Sequence, residues 1–263
     1  MKTTILKQVI LFLSVLLISV QGEAQTDTSE PTNFNALSEQ LLTKIKSGQN
    51  TQDIQDILKN TSLEMLSTAL KTDTEKLAFW VNIYNAYIQI ILTDKPELFE
   101  DRGAFFKKKQ IAIAGNMVSF DKIEHGIIRK SQWKLGLGKI RKWFPNKFER
   151  ALRVDERDFR IHFVLNCGAK NCPPVAIYTP DNLEAQFDMS SRNYLIKTTT
   201  YDNEKKIVTI SPLFKWFRGD FGSKNDIKDI LKSYAILATT EKFSIDYGDY
   251  DWTLDLDNWA DFN

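Results

Sequence analysis

The chain has 263 residues, with 35 Lys and Arg set against 34 Asp and Glu, and 17 Phe, 8 Tyr and 6 Trp among its apolar side chains. Charge so evenly balanced gives no overall attraction to nucleic acid or to an anionic membrane surface. The aromatic mass is enough for a core that does not depend on disulfides, and the length fits one large domain or two small ones.

Lys2 and Lys7 precede a nearly unbroken apolar run from Val9 to Val20, followed by the small residues of Gly22-Glu23-Ala24. This is the layout of a cleaved secretory signal over residues 1–24. The run falls well short of the roughly 20 residues a spanning helix needs, so no stable membrane span is expected after cleavage. No cysteine follows the run to carry a lipid. The expected mature chain begins near Gln25 and is periplasmic or secreted. Residues 25–33 read as a polar, disordered lead-in, and residues 34–263 as a single domain.

Leu37, Leu41, Leu42 and Ile45 fall at helical spacing, and the stretches 33–47 and 51–70 predict two or three amphipathic helices. Thr72-Asp73-Thr74-Glu75 is a capping box that opens a helix running to about Thr93, ahead of Pro96. Leu77, Val81, Tyr84, Ile88 and Ile91 form one apolar stripe and Phe79, Ile83, Ala86 and Ile90 another, so this helix belongs at the centre of the fold. Asn82, Asn85 and Gln89 interrupt it along a single stripe. Buried amides without partners cost about 1–3 kcal/mol each. Ties to neighbouring loops are the preferred reading for them, with a ligand-facing role for Asn82 and Asn85 as the alternative.

Lys107-Lys108-Lys109 reads as a solvated strand edge. Ile111-Ala112-Ile113 and Met117-Val118-Ser119, turning at Gly115-Asn116, predict a β-hairpin. Asp121 to Lys130 predicts a short helix with Ile123 and Ile127 inward, and Phe159 to Leu165 a strand. Thr179-Pro180-Asp181 starts a helix to about Lys197, and Lys206 to Ile210 is a further strand. An aromatic connector, Phe214 to Phe221, leads to a helix over Asp226 to Ala238. The alternation of Phe243, Ile245 and Tyr247 is strand-like. With no internal repeat and no Pro-, Gly- or Ser-rich linker, the expected fold is a single α+β domain. Several helices surround a central buried helix, beside a small, mainly antiparallel sheet.

Both cysteines and one of the two histidines lie in a single stretch, Arg160 to Pro174. Cys167 as a nucleophile needs a base to populate its thiolate. His162 lies five residues earlier on an expected strand, about 17 Å away at about 3.4 Å per residue and on the opposite face. His125 is the better candidate, with Asp121 at i−4 to fix its tautomer. Gly168 admits main-chain amides to an oxyanion, and Asn166 and His162 would flank a substrate. Such a Cys167–His125–Asp121 set would perform acyl transfer or amide hydrolysis. The rival reading is a Cys167–Cys172 disulfide that rigidifies the loop. The C-x4-C spacing is not the C-x-x-C of thiol–disulfide oxidoreductases. Cys167, Cys172, His162 and His125 have the atoms for zinc but not the spacing of a common zinc module, so neither metal nor cofactor is expected. In quieter readings His162 is a core histidine, Asp121 an N-cap, and Glu124 and Arg129 a solvated pair. The aromatic cluster over 214–221 and Tyr250-Asp251-Trp252 are core and rim, or else a groove for a sugar or peptide.

Several of these stretches together resemble one family. They are Phe79-Trp80-Val81-Asn82-Ile83-Tyr84-Asn85-Ala86, His125-Gly126-Ile127-Ile128-Arg129, Arg160-Ile161-His162-Phe163, Asn166-Cys167-Gly168-Ala169, Cys172-Pro173, Phe214-Lys215-Trp216-Phe217 and Tyr250-Asp251-Trp252. In order and content they resemble the domain of unknown function 547 family, from about Leu70 to Leu254. Phe159 departs from the proline usual there. The family carries no established activity. The resemblance implies an exported bacterial member, since plant members are large, intracellular, carry a leucine zipper and are discussed as interaction proteins. Two readings therefore stand open: a cysteine-dependent hydrolase or acyltransferase, and a non-catalytic binding domain with a disulfide-locked loop. Its partner would be a peptide, glycan or protein, not a nucleic acid.

Overall fold

Thr72 and Glu75 cap each other as the sequence predicts. The Thr72 hydroxyl accepts from the Glu75 N–H at 3.2 Å, and the Glu75 carboxylate accepts from the Thr72 N–H at 2.8 Å. They open the central helix of the computed structural model, which describes residues 32–136, 138–237 and 243–262. The expected signal, and the lead-in as far as residue 31, lie outside the described residues. Asn33, at the end of that lead-in, accepts from the Ala36 N–H and caps the first helix.

Three helices, α1 (Phe34–Lys46), α2 (Gln52–Asn60) and α3 (Leu63–Ala69), precede the central α4 (Asp73–Asp94). Every residue of α4 from Lys76 to Gln89 is buried, and α1 packs along it. Asn82 donates to the carbonyl of Tyr178 (2.7 Å) and accepts from the N–H of the same residue (2.9 Å). Asn85 donates to the carbonyl of Val164 (3.0 Å) and accepts from the N–H of Asn166 (2.8 Å). Each amide thus stands in for a neighbouring strand, satisfying irregular main chain inside the core. Asn82 also donates to Ser38 Oγ of α1 (3.1 Å), and both amides are buried and tied to loop main chain, the preferred reading, rather than facing a cleft.

Lys107 closes α5 (Arg102–Lys107), so the lysine run begins at a helix terminus rather than a strand edge. Strands β1 (Ile111–Ile113) and β2 (Asn116–Val118) form the expected antiparallel hairpin. It turns through Ala114 and Gly115, both at positive φ, one residue earlier than the sequence suggested. The next segment, Lys122–Ile128, is a π-helix. The N–H of Arg129 reaches the carbonyl of Glu124 (2.8 Å), and that of Ser131 the carbonyl of Gly126 (2.9 Å).

After α6 (Lys147–Leu152) the predicted strand is absent; Phe159–Phe163 is a 3-10 turn capped by Asp158, which accepts from the Arg160 N–H. Its apolar, aromatic residues suit any fully buried segment, and no strand among the described residues pairs with them. Then follow α7 (Leu183–Thr198), β3 (Thr200–Asp202), β4 (Ile207–Ile210), α8 (Leu213–Trp216), α9 (Arg218–Phe221), α10 (Lys224–Ser233) and β5 (Ser244–Tyr247). β3 and β4 pair antiparallel, while β4 and β5 are parallel because α8, α9 and α10 form the crossover between them. The architecture is the expected α+β, with helices around α4 and small sheets of two and three strands.

The buried side chains form two clusters, one around α4 and one around Phe214, Phe221 and the three-stranded sheet. Phe163 belongs to the second while Ile161 and Val164 belong to the first, and Tyr250 packs against both.

Candidate functional site

The loop that carries the sulfur atoms is held from several sides at this junction. Asn85 fixes its start. Asn166 then donates to the carbonyl of Pro173 and accepts from the Gly168 N–H, each at 2.8 Å. Gly168 has φ +89, a conformation that favours glycine, and a Cβ there would press on the Leu92 side chain at 2.9 Å. Residues after β5 edge the loop. The N–H of Lys170 donates to the Thr253 carbonyl (2.8 Å) and that of Asp255 to the Gly168 carbonyl (2.8 Å).

Within this frame Cys167 and Cys172 form a disulfide, with Cα atoms 6.0 Å apart. Cys172 Sγ accepts from the Tyr250 hydroxyl (3.3 Å) and from the Cys167 N–H (3.1 Å). The disulfide reading of the sequence is the one the structure holds. A bridged sulfur is no thiolate, so Cys167 is not a nucleophile in this state. The expected oxyanion donors are also occupied, since the N–H groups of Cys167 and Gly168 bind Cys172 Sγ and Asn166 Oδ1.

A cleft of about 300 Å³ opens beside the bridge. Tyr84, Phe106, Trp216, Phe217, Tyr250 and Trp252 make it aromatic, and Asp121, Glu124, His125, Lys134 and His162 supply its polar groups. The rings of Trp216 and Trp252 stack at 5.7 Å and 28°. Cys167, His125, Asp121 and His162 are therefore brought around one space, as the sequence reading required of the first three. Asn82, Asn85, Asn166 and Gly168 do not line it. The strand expected to separate His162 and Cys167 is not formed: His162 lies in the 3-10 turn, which ends at Phe163, and residues 164–166 are irregular.

His125 is oriented differently from the expectation. Arg129 Nη1 lies 2.7 Å from His125 Nδ1. Guanidinium only donates, so Nδ1 accepts and the neutral ring carries its proton on Nε2. Burial, and then the charge of Arg129, push the imidazole down to about 3. Its Nε2 stands 3.9 Å from Asp121 Oδ1, while both Asp121 oxygens are held by Lys134 at 2.7 Å. Arg129, not Asp121, sets the tautomer, and the ring's remaining polar group is an N–H donor, not a base.

Arg129 is itself buried and tied to a residue the sequence reading passed over. Asp220 accepts from Arg129 Nε (2.7 Å), Arg157 Nη1 (2.7 Å) and His162 Nε2 (2.8 Å). Burial alone would raise the Asp220 carboxyl, but the His162 hydrogen bond and the Arg129 charge hold it at about 2. Burial keeps His162 neutral, and its ring stacks on Phe217 at 3.9 Å. His162 is thus both a satisfied core histidine and part of the cleft wall. The solvated Glu124–Arg129 pair is corrected as well. Arg129 is buried, and Glu124 Oε1 and Arg129 Nη2 are buried without hydrogen-bond partners. Burial raises the Glu124 carboxyl. The available signal for Asp220 was its place as the one carboxylate among the aromatics of 214–221.

Among the described residues, no group of three or more His, Cys, Asp or Glu is placed to hold a metal ion. No helix among them is long and apolar enough to cross a membrane. No curated protein and no solved structure matches the chain. A family model does match, over residues 68–195, which take in α4, the π-helix and the disulfide loop. Over that stretch the chain belongs to the family described as "Protein of unknown function, DUF547".

Proposed function

We propose that this is an exported, non-catalytic binding domain whose disulfide-stiffened cleft receives a sugar ring of a glycan. The observation that carries the reading is that the groups an acyl transfer would use are already committed. The Cys167 sulfur is bonded to Cys172, the nearby main-chain donors are spent, and the His125 Nδ1 lone pair faces Arg129. What remains in the cleft is recognition chemistry. Trp216 and Trp252 give the cleft an aromatic wall against which the C–H side of a sugar can pack. Asp121 and Glu124 can accept from hydroxyls, and Lys134 and the His125 N–H can donate. A volume of about 300 Å³ is at the small end of ligand pockets, which suits one ring better than a folded partner.

The test is a glycan array run beside a peptide array, followed by calorimetric titration with the best soluble oligosaccharide. Saturable binding that disappears in Trp216→Ala and Trp252→Ala is expected. Capture of peptides alone would reject the glycan, and turnover that depends on Cys167 would reject the non-catalytic reading. Export is supported by the disulfide, which persists in oxidising compartments, and by the pattern of residues 1–24. Terminal sequencing of protein recovered from the periplasm should begin near Gln25, whereas a cytoplasmic chain retaining Met1 would exclude export.

One observation favours a second reading, a thiol-dependent hydrolase or acyltransferase: Cys167 and His125 line the same cleft. That chemistry needs the bridge reduced and the imidazole proton moved to Nδ1, against Arg129. Mass measurement after alkylation of protein from its native compartment decides it. Two unlabelled cysteines dispose of the hydrolase, and Cys167 labelling that slows in His125→Ala restores it.

A further inference from the structure

The balanced total charge conceals a strongly uneven patch. Between Gly138 and Phe148 the sequence holds Lys139, Arg141, Lys142 and Lys147 and no carboxylate. Lys142 pairs with Glu149, but no carboxylate among the described residues pairs with Lys139, Arg141 or Lys147. Between these cations stand Trp143 and Phe144, 85% and 91% exposed, the two most exposed large apolar side chains described. Trp133 and Ile140, 46% and 48% exposed, lie on the same segment.

The segment is not loose chain. Gln132 and Arg141 form an antiparallel bridge, the Trp133 N–H donates to the Ile140 carbonyl (2.8 Å), and the Lys142 N–H donates to the Ser131 carbonyl (2.8 Å). Trp143 and Phe144 follow this pairing directly and precede Asn146, which caps α6 by accepting from the Glu149 N–H (2.9 Å), so two bare aromatic rings stand in a short bend anchored at both ends, beside a row of unpaired cations. Leaving such rings in water forgoes their burial, and nothing in the core or the cleft requires them there.

We infer that this basic, aromatic-bearing finger docks the protein on an anionic lipid surface. The rings enter the headgroup boundary, and Lys139, Arg141 and Lys147 meet lipid phosphates. Tryptophan suits that boundary because its ring is apolar and its N–H can stay hydrated. Adjacent cations add attraction to anionic headgroups. A protein partner fits less well, because aromatic anchors of protein interfaces sit within a surrounding ring of contact residues, and these two stand almost wholly clear of the fold. Lys134, beside Trp133, lines the cleft, so a docked finger would hold the cleft close to the membrane.

The test uses the mature chain from Gln25 with vesicles of phosphatidylcholine alone and of phosphatidylcholine and phosphatidylglycerol in equal parts. Sedimentation with the anionic vesicles is expected, weakening as salt rises. Trp143→Ala with Phe144→Ala should lower partitioning by about tenfold or more. Replacing Lys139, Arg141 and Lys147 by Gln should lower it by about fivefold per cation and flatten the salt dependence. Both variants should melt like the parent, since the side chains are exposed. Without the apolar run at 9–20, partitioning that survives the aromatic double substitution overturns the inference. So does equal binding to both vesicle types. A chain that ignores anionic vesicles altogether overturns it too, and assigns the finger to a protein partner.

Discussion

Asp220 gathers donors from Arg129, Arg157 and His162 onto two oxygens, and its side chain is almost wholly buried. Asp220→Asn should therefore cost about 3–5 kcal/mol, the range for breaking a buried pair from one side, read as a lower urea midpoint. Two groups also tie stability to pH. The Asp220 carboxyl is held at about 2, below its ordinary 3.8, and the His125 imidazole at about 3, below 6.5. In both, the unfolded chain takes up its proton first as pH falls. Their stabilisation is whole above the unfolded values. It is lost between about 6.5 and 3 for His125 and between about 3.8 and 2 for Asp220. Denaturation measured from pH 7 to pH 4 should show a loss approaching about 1.4 kcal/mol per pH unit below the histidine's unfolded value. His125→Asn, with an amide oxygen near the Nδ1 position to accept from Arg129, should flatten that slope. The sequence could put His125 forward because histidines are scarce. It could not reveal Asp220, whose partners lie 58 to 91 residues away.

The central helix could be read almost completely in advance, because a capping box, a proline stop and apolar residues on nearly every side are local signals. Its amides were legible as to kind, not partner. Asn85 spans the gap between the Val164 carbonyl and the Asn166 N–H, and Asn85→Ala would leave both main-chain groups dry. A loss on the order of 3 kcal/mol is expected, with faster hydrogen exchange at Asn166 and weakened ligand binding, while α1 stays protected. The π-helix and the 3-10 turn at Phe159–Phe163 were not legible. Their apolar patterns fit several kinds of buried backbone; Asp158 caps the turn locally, while Glu149 packs on Gly126 of the π-helix from α6.

The cleft belongs to neither buried cluster alone; it lies where the two meet, lined by side chains that run from Tyr84 to Trp252 along the chain. Motif content therefore announced the ingredients while their assembly depended on long-range packing. The disulfide was foreseeable as one option, since the two cysteines are only five apart, but its competition with a catalytic thiol could be decided only by coordinates. Replacing both cysteines by serine should cost about 2 kcal/mol for so short a loop. The melting temperature should fall by several degrees, and reductant should then affect only the parent.

The two flanks of the cleft are reached at very different times on a growing chain. Cys167 needs only Cys172, five residues on, whereas Tyr250 meets Cys172 across 78. Synthesis from the N-terminus thus lets the bridge form while the Tyr250–Trp252 side does not yet exist. A polypeptide halted before Asp249 would own its oxidised loop and its central helix, yet lack the Tyr250–Trp252 wall of the cleft.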